Sequence, residues 1–228
     1  MTSLVSQIIK LNDYITVICS SHFELGNCNS KELFKIIKNV SPEIIFEEIP
    51  NDRFNAYYIE KSAYTLETDA INMYLENYNI PHIPVDTYIF SDEIHDKLKF
   101  VYNKISENNF HYNELLNEQY LMTTQNGFLF LNSSHFNNLL EKIQNIEKNV
   151  LKLLNNNELS IIHNKWMEIT NNRENEIIDN IYKYSKENRY NNGVLIIGAE
   201  HGKSILSKVK EFNVKENLEI NWRFWRIA

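Results

Sequence analysis

Polar side chains that could carry out hydrolysis stand at the ends of several apolar runs. His22 follows "YITVICSS" (14–21), and Glu47 and Glu48 close "EIIFEE" (43–48). Asp86 falls late in "IPVDTYIF" (83–90), and His201 follows "GVLIIGAE" (193–200). If each run is a strand of an open α/β sheet, these residues lie beyond the strands' carboxyl ends, where ligands gather in such folds. Two imidazoles and a carboxylate form an ordinary set for a divalent ion such as zinc or manganese, with one position left for a water. His22, Glu48 and His201 are therefore the expected metal set, with Glu48 as ligand or general base. Side chains alternate along a strand, so Glu47 and Glu48 should face opposite sides and only one easily joins a common site.

The stretch "GAEHGKS" (198–204) invites comparison with a phosphate-gripping loop. Such a loop needs four residues between its glycines, and here "AEH" supplies three, which spoils the wrap of N–H groups. Ser20 and Ser21 adjoin His22 but lack the G-x-S-x-G setting of a nucleophile elbow. Cys19 lies inside the apolar run and reads as a buried thiol, as does Cys28.

The elements that must position these groups alternate in type. Residues 14–22 read as a strand, 29–40 as a helix with Ser30 as a cap, and 42–50 as a strand between two prolines. A long helical stretch follows over about 53–78, then a strand over 83–90. Strand, helix, strand, helix, strand implies parallel crossovers and a mostly parallel central sheet with helices on both faces. The centre, at about 92–160, is asparagine-rich and mostly helical. It reads as an insertion or cap of a single domain (1–228), with a break or short strand at 127–136. Residues 173–189 form a helix in which Glu174 shares the apolar face of Ile177 and Ile178. The strand 193–198, a helix 203–216 and a half-buried, alternating strand 218–227 end the chain. His82, among prolines, reads as a loop residue.

These motifs taken in order resemble the TraB/Tiki/GumN families, relatives of the haem-binding protein ChaN and of the erythromycin esterases. The family pattern is a strand with G-T-x-H, then P-D-x-x-x-x-E-L with an arginine soon after. A late helix carries R-[ND], and a last strand ends in G-x-x-H. The chain has "CSSH" (19–22), "PEIIFEEI" (42–49) followed by Arg53, "RENEII" (173–178) and "GAEH" (198–201). Cys19 stands in the place of a glycine, and Glu174 replaces the usual asparagine or aspartate. The resemblance implies a metal-assisted peptidase or esterase centre, and in some relatives a binding or regulatory role. His22, Glu48 and His201 would form it. Arg53 and Arg173 would hold a substrate carboxylate or phosphate, or pair with nearby carboxylates. Glu174 and Asp86 would orient a histidine, and Glu47 would lie outside the reacting shell.

Composition narrows the partners. The formal charge is −7 over 228 residues, with lysines interspersed among carboxylates, so no wide basic face for nucleic acid is expected. No leader or membrane span is evident, and a cytoplasmic location is expected. The leading expectation is a hydrolase acting on a peptide or small molecule. The rival is a non-catalytic protein binding a ligand such as haem, and the alternating tail could pair two copies as a homodimer.

Overall fold

The computed structural model describes residues 9–87 and 91–225. Five strands form one sheet: β1 (Ile9–Ser20), β2 (Ile44–Pro50), β3 (His82–Asp86), β4 (Asn192–Gly198) and β5 (Leu218–Phe224). Their order is β3-β2-β4-β1-β5 and every pairing is parallel. The chain leaves β1, builds outward through β2 and β3, then returns to lay β4 between β2 and β1. Such a reversal opens a crevice at the strands' carboxyl ends. Ser20 is level with Gly198, and Glu47 with Ile196, so His22, Glu48 and His201 emerge from three adjacent strands.

Helices cover both faces. α1 (Ser30–Val40) packs against α3 (Leu66–Leu75), while α8 (Asn157–Glu187) packs against α9 (Gly202–Lys215) and β3. The core is aliphatic: Ile15, Val17, Ile44, Ile45, Val194 and Leu195 are within 1% of full burial, as strands covered on both sides require. α1 is capped by Asn29, whose Oδ1 accepts from Glu32 N at 3.1 Å, and not by Ser30 as expected. The helical stretch expected over 53–78 is two pieces. α2 (Phe54–Tyr58) is one short turn, and α3 starts afresh at a capping box between Thr65 and Thr68.

The insertion comprises α4 (Asp92–Asn108), α5 (Phe110–Asn126), α6 (Phe128–Leu131), α7 (Ser134–Leu154) and the first half of α8. The segment 127–136 breaks the helices as expected, but it holds the single turn α6 and no strand. The helix expected from 173 begins at Asn157, because Asn155 takes a left-handed φ of 48° to end α7 and Asn156 caps α8. His82 opens β3 instead of lying in a loop; β3 is an edge strand, where prolines are tolerated. The last three residues of the run 83–90 lie outside the described residues. No helix among the described residues is long and apolar enough to cross a membrane. Cys19 and Cys28 are both buried free thiols.

One side chain ties the insertion to the sheet. β5 stops beside Val17, which leaves the backbone of Cys19 without a strand on that side. Asn132, from the turn after α6, fills the place: its Oδ1 accepts from Cys19 N at 2.8 Å and its Nδ2 donates to Cys19 O at 2.9 Å. A primary amide has the donor and acceptor of a peptide unit, so it satisfies both groups.

Candidate active site

The residues at the strand ends converge. A Cβ placed on Gly198 would stand 3.3 Å from Glu48 Oε2, 3.5 Å from His201 Cδ2 and 3.7 Å from His22 Nε2. Two imidazoles and one carboxylate thus meet above the end of β4, close around the glycine.

Glu48 is held from several directions. Its side chain is 4% exposed, and Oε2 accepts from Gly198 N at 2.5 Å. Oε1 accepts from Arg173 Nη2 and faces His201 Nε2 at 3.3 Å. These cationic neighbours outweigh burial and hold its carboxyl well below the usual range. Arg173, from the middle of α8, also grips Asp86, with Nε 2.9 Å from both carboxylate oxygens and Nη2 2.7 Å from Oδ2. Asp86 therefore orients the arginine. Arg173 thus bridges both carboxylates through Nε and Nη2.

His201 lies in a 3-10 turn (Ala199–His201) between β4 and α9. Its Nδ1 is 2.8 Å from Glu174 Oε1, the second-nitrogen contact expected for that glutamate. Glu174 also accepts from Ser204 Oγ at 2.5 Å and from Lys208 Nζ at 2.8 Å. Burial disfavours a charged imidazole, but Glu174 and Glu48 outweigh it and push His201 up to about 10.

His22 is half exposed, and α3 fixes it. Its carbonyl accepts from Leu66 N at 3.3 Å, and its Nδ1 is 3.3 Å from Glu67 Oε1. The Glu67 contact at Nδ1 raises the imidazole to about 9, with the charges of Glu67 and Glu48 adding to it, against the cost of burial. Sequence reasoning missed Glu67, which belongs to no strand. The signal available was its place in the first turn after Thr65, where a carboxylate suits the helix dipole.

The remaining expected residues separate. Arg53 is exposed on the wall of a cleft of about 360 Å³ that also takes in His22, Glu48, Tyr57 and Glu67. No ion pair or hydrogen bond joins it to another described residue. Glu47 turns to the other face of β2, as strand alternation requires. There it pairs with His82 Nδ1 at 2.5 Å and accepts from Tyr58 Oη, within a ring cluster completed by Phe54. The "GKS" following His201 also finds its reason: a Cβ on Gly202 would lie 2.4 Å from Cys19 Sγ. That glycine lets α9 pack on β1.

A divalent ion does not fit these donors as they stand. Both Glu48 oxygens are engaged by protein donors, and both nitrogens of His201 face carboxylates. Among the described residues no group of three or more His, Cys, Asp or Glu side chains is arranged to hold a metal.

No protein-family model, curated protein or solved structure matches the chain.

Proposed function

We propose that the strand-end cleft is a hydrolytic centre acting on an ester or amide. The observation that carries this reading is the meeting of His22 and His201 over Gly198, each imidazole backed at Nδ1 by its own glutamate. Carboxylate–imidazole pairs set the tautomer and raise the basicity of the working nitrogen, which general acid–base chemistry needs. The motifs that resemble the TraB/Tiki/GumN families fall on the same side chains and agree with it.

His22 is the better base. Its Nε2 faces the cleft, and in its neutral form it takes a proton from a water that adds to the carbonyl carbon. His201, with the higher affinity for its proton, stays charged. Its Nε2–H, held loosely toward Glu48 at 3.3 Å, turns to the oxygen on which negative charge develops. Collapse of the tetrahedral adduct breaks the bond to the leaving group, which carries away the proton held by His22. Glu48, clamped by Arg173 and Gly198 N–H, keeps His201 in place. Arg53, exposed on the cleft wall, offers its donor fork to an anionic group of the substrate.

The test is a panel of chromogenic esters and amides with the wild-type chain, His22→Asn and His201→Asn. Turnover by the wild type, lost by at least a hundredfold in each folded variant, is expected. Equal rates in all three would overturn the reading.

A further inference from the structure

The insertion encloses a hollow of about 880 Å³ beside the site, lined by α4, α5, α7 and α8 and floored by Glu174, Glu200, His201 and Ser204. Ligand pockets span roughly 300–1,000 Å³, so the space suits a small organic molecule. Two carboxylates that the hydrolytic scheme does not use reach it. Glu200 has no hydrogen-bond or ion-pair partner among the described residues. It is exposed on the floor of the hollow; loss of solvation raises its carboxyl, the nearby His201 works against this, and Glu147 adds to it. Glu147 is 8% exposed; one oxygen accepts from Tyr112 Oη at 3.1 Å, and the other stands 3.6 Å from Nε2 of the buried His163.

The rest of the wall has the same bias. The rings of Tyr102, Tyr112 and Trp166 line it, and so does Thr170, whose buried Oγ1 has no hydrogen-bond partner. A buried hydroxyl without a partner is unfavourable until something supplies one. The cation on the floor, His201, is already matched by Glu174 and Glu48. Lys99 and His95 stand exposed on α4, and no ion pair joins Lys99 to either carboxylate. Carboxylates set among aromatic faces recognise an ammonium group, through charge and through the negative face of the rings.

We propose that the hollow binds an organic cation, with its ammonium group between Glu200 and Glu147 against Tyr102 and an apolar body along Leu98, Leu140 and Ile143. This deepens the hydrolytic reading and rests on it for one point, that the bound cation is the substrate, presented to His201 on the shared floor.

The experiment is calorimetric and independent of turnover. 2-Phenylethylamine and its neutral counterpart 2-phenylethanol are titrated into the wild type, Glu200→Gln and His22→Asn. The wild type is expected to bind the amine at least tenfold more tightly than the alcohol. Glu200→Gln should abolish that preference with an unchanged circular dichroism spectrum, and His22→Asn should keep it. Equal affinity for the two compounds, no binding of the amine, or a preference that survives Glu200→Gln would overturn the proposal. Amine preference without hydrolysis of any ester or amide would leave the binding site standing and remove the hydrolytic reading alone.

Discussion

Glu174 on α8 and His201 at the foot of α9 stand 2.8 Å apart, so the second imidazole of the site is held by a helix 27 residues upstream and not by the sheet that delivers it. Glu174→Gln removes the charge and keeps the shape. The affinity of His201 for its proton should fall, and turnover should drop by roughly tenfold to a hundredfold, the usual worth of a hydrogen bond to a charged group. Rates and the His201 titration followed by NMR would check both.

The pH dependence has a definite sign. His22 acts only once it loses its proton, near pH 9, and His201 only while it keeps its own, up to about pH 10. The value of kcat/KM should rise through the first value and fall through the second, giving an alkaline optimum. The same groups govern stability. Both pKa values lie above the unfolded value, so their contribution is complete below about pH 6.5 and is lost as pH rises through 9 to 10. The Tm should decline over that range, and less steeply in His201→Gln.

Arg173 neutralises two buried carboxylates at once. Arg173→Met takes the guanidinium from both Glu48 and Asp86 and should cost about 3–5 kcal/mol, the usual penalty for breaking a buried pair by removing one member. Urea denaturation would measure it. Adding Asp86→Asn should restore part of the loss, since one stranded charge is then gone.

Gly202 is required by contact, not by backbone angle. Gly202→Ala drives its Cβ into Cys19 Sγ and should destabilise the fold by about 1–3 kcal/mol, the range for overpacking. The double variant Cys19→Ala, Gly202→Ala should recover most of that, because the sulfur is removed. Thermal denaturation of the three variants makes the comparison.

A metal titration tests the donor set directly. Neither Zn²⁺ nor Mn²⁺ is expected to bind stoichiometrically near neutral pH, and hydrolysis should survive prior treatment with a chelator. One equivalent bound in the wild type and none in His22→Asn would restore the ion expected from the strand-end residues.

Much of the frame was legible because each central strand is a run of β-branched and aliphatic residues ending in a polar one. That pattern put His22, Glu48 and His201 at one edge of the sheet, and the register of β1, β4 and β2 brings them together. Other features depend on tertiary contact. Glu67 reaches His22 because the start of α3 docks on the His22 loop through Leu66 N and His22 O; its first-turn position marks a helix start but not that meeting. Arg173 looked equally suited to substrate or carboxylates. Asp86, delivered by the edge strand, decides for the carboxylates. His82 was disguised by its prolines, which an edge strand accommodates. Glu200, with no hydrogen bond or ion pair among the described residues, adjoins His201 in sequence, but its openness to the hollow depends on four helices that no periodicity could dock.

The amide of Asn132 has a further implication. It holds the main chain of Cys19 and, through the same Nδ2, the carbonyl of Phe128 in the insertion. Cys19 lies three residues before His22, and Asn27, five residues after it, donates to the carbonyls of Thr124 and Gln125 at the end of α5. The helical arm therefore grips the His22 loop from both sides, and a molecule that displaced the arm would carry the imidazole with it.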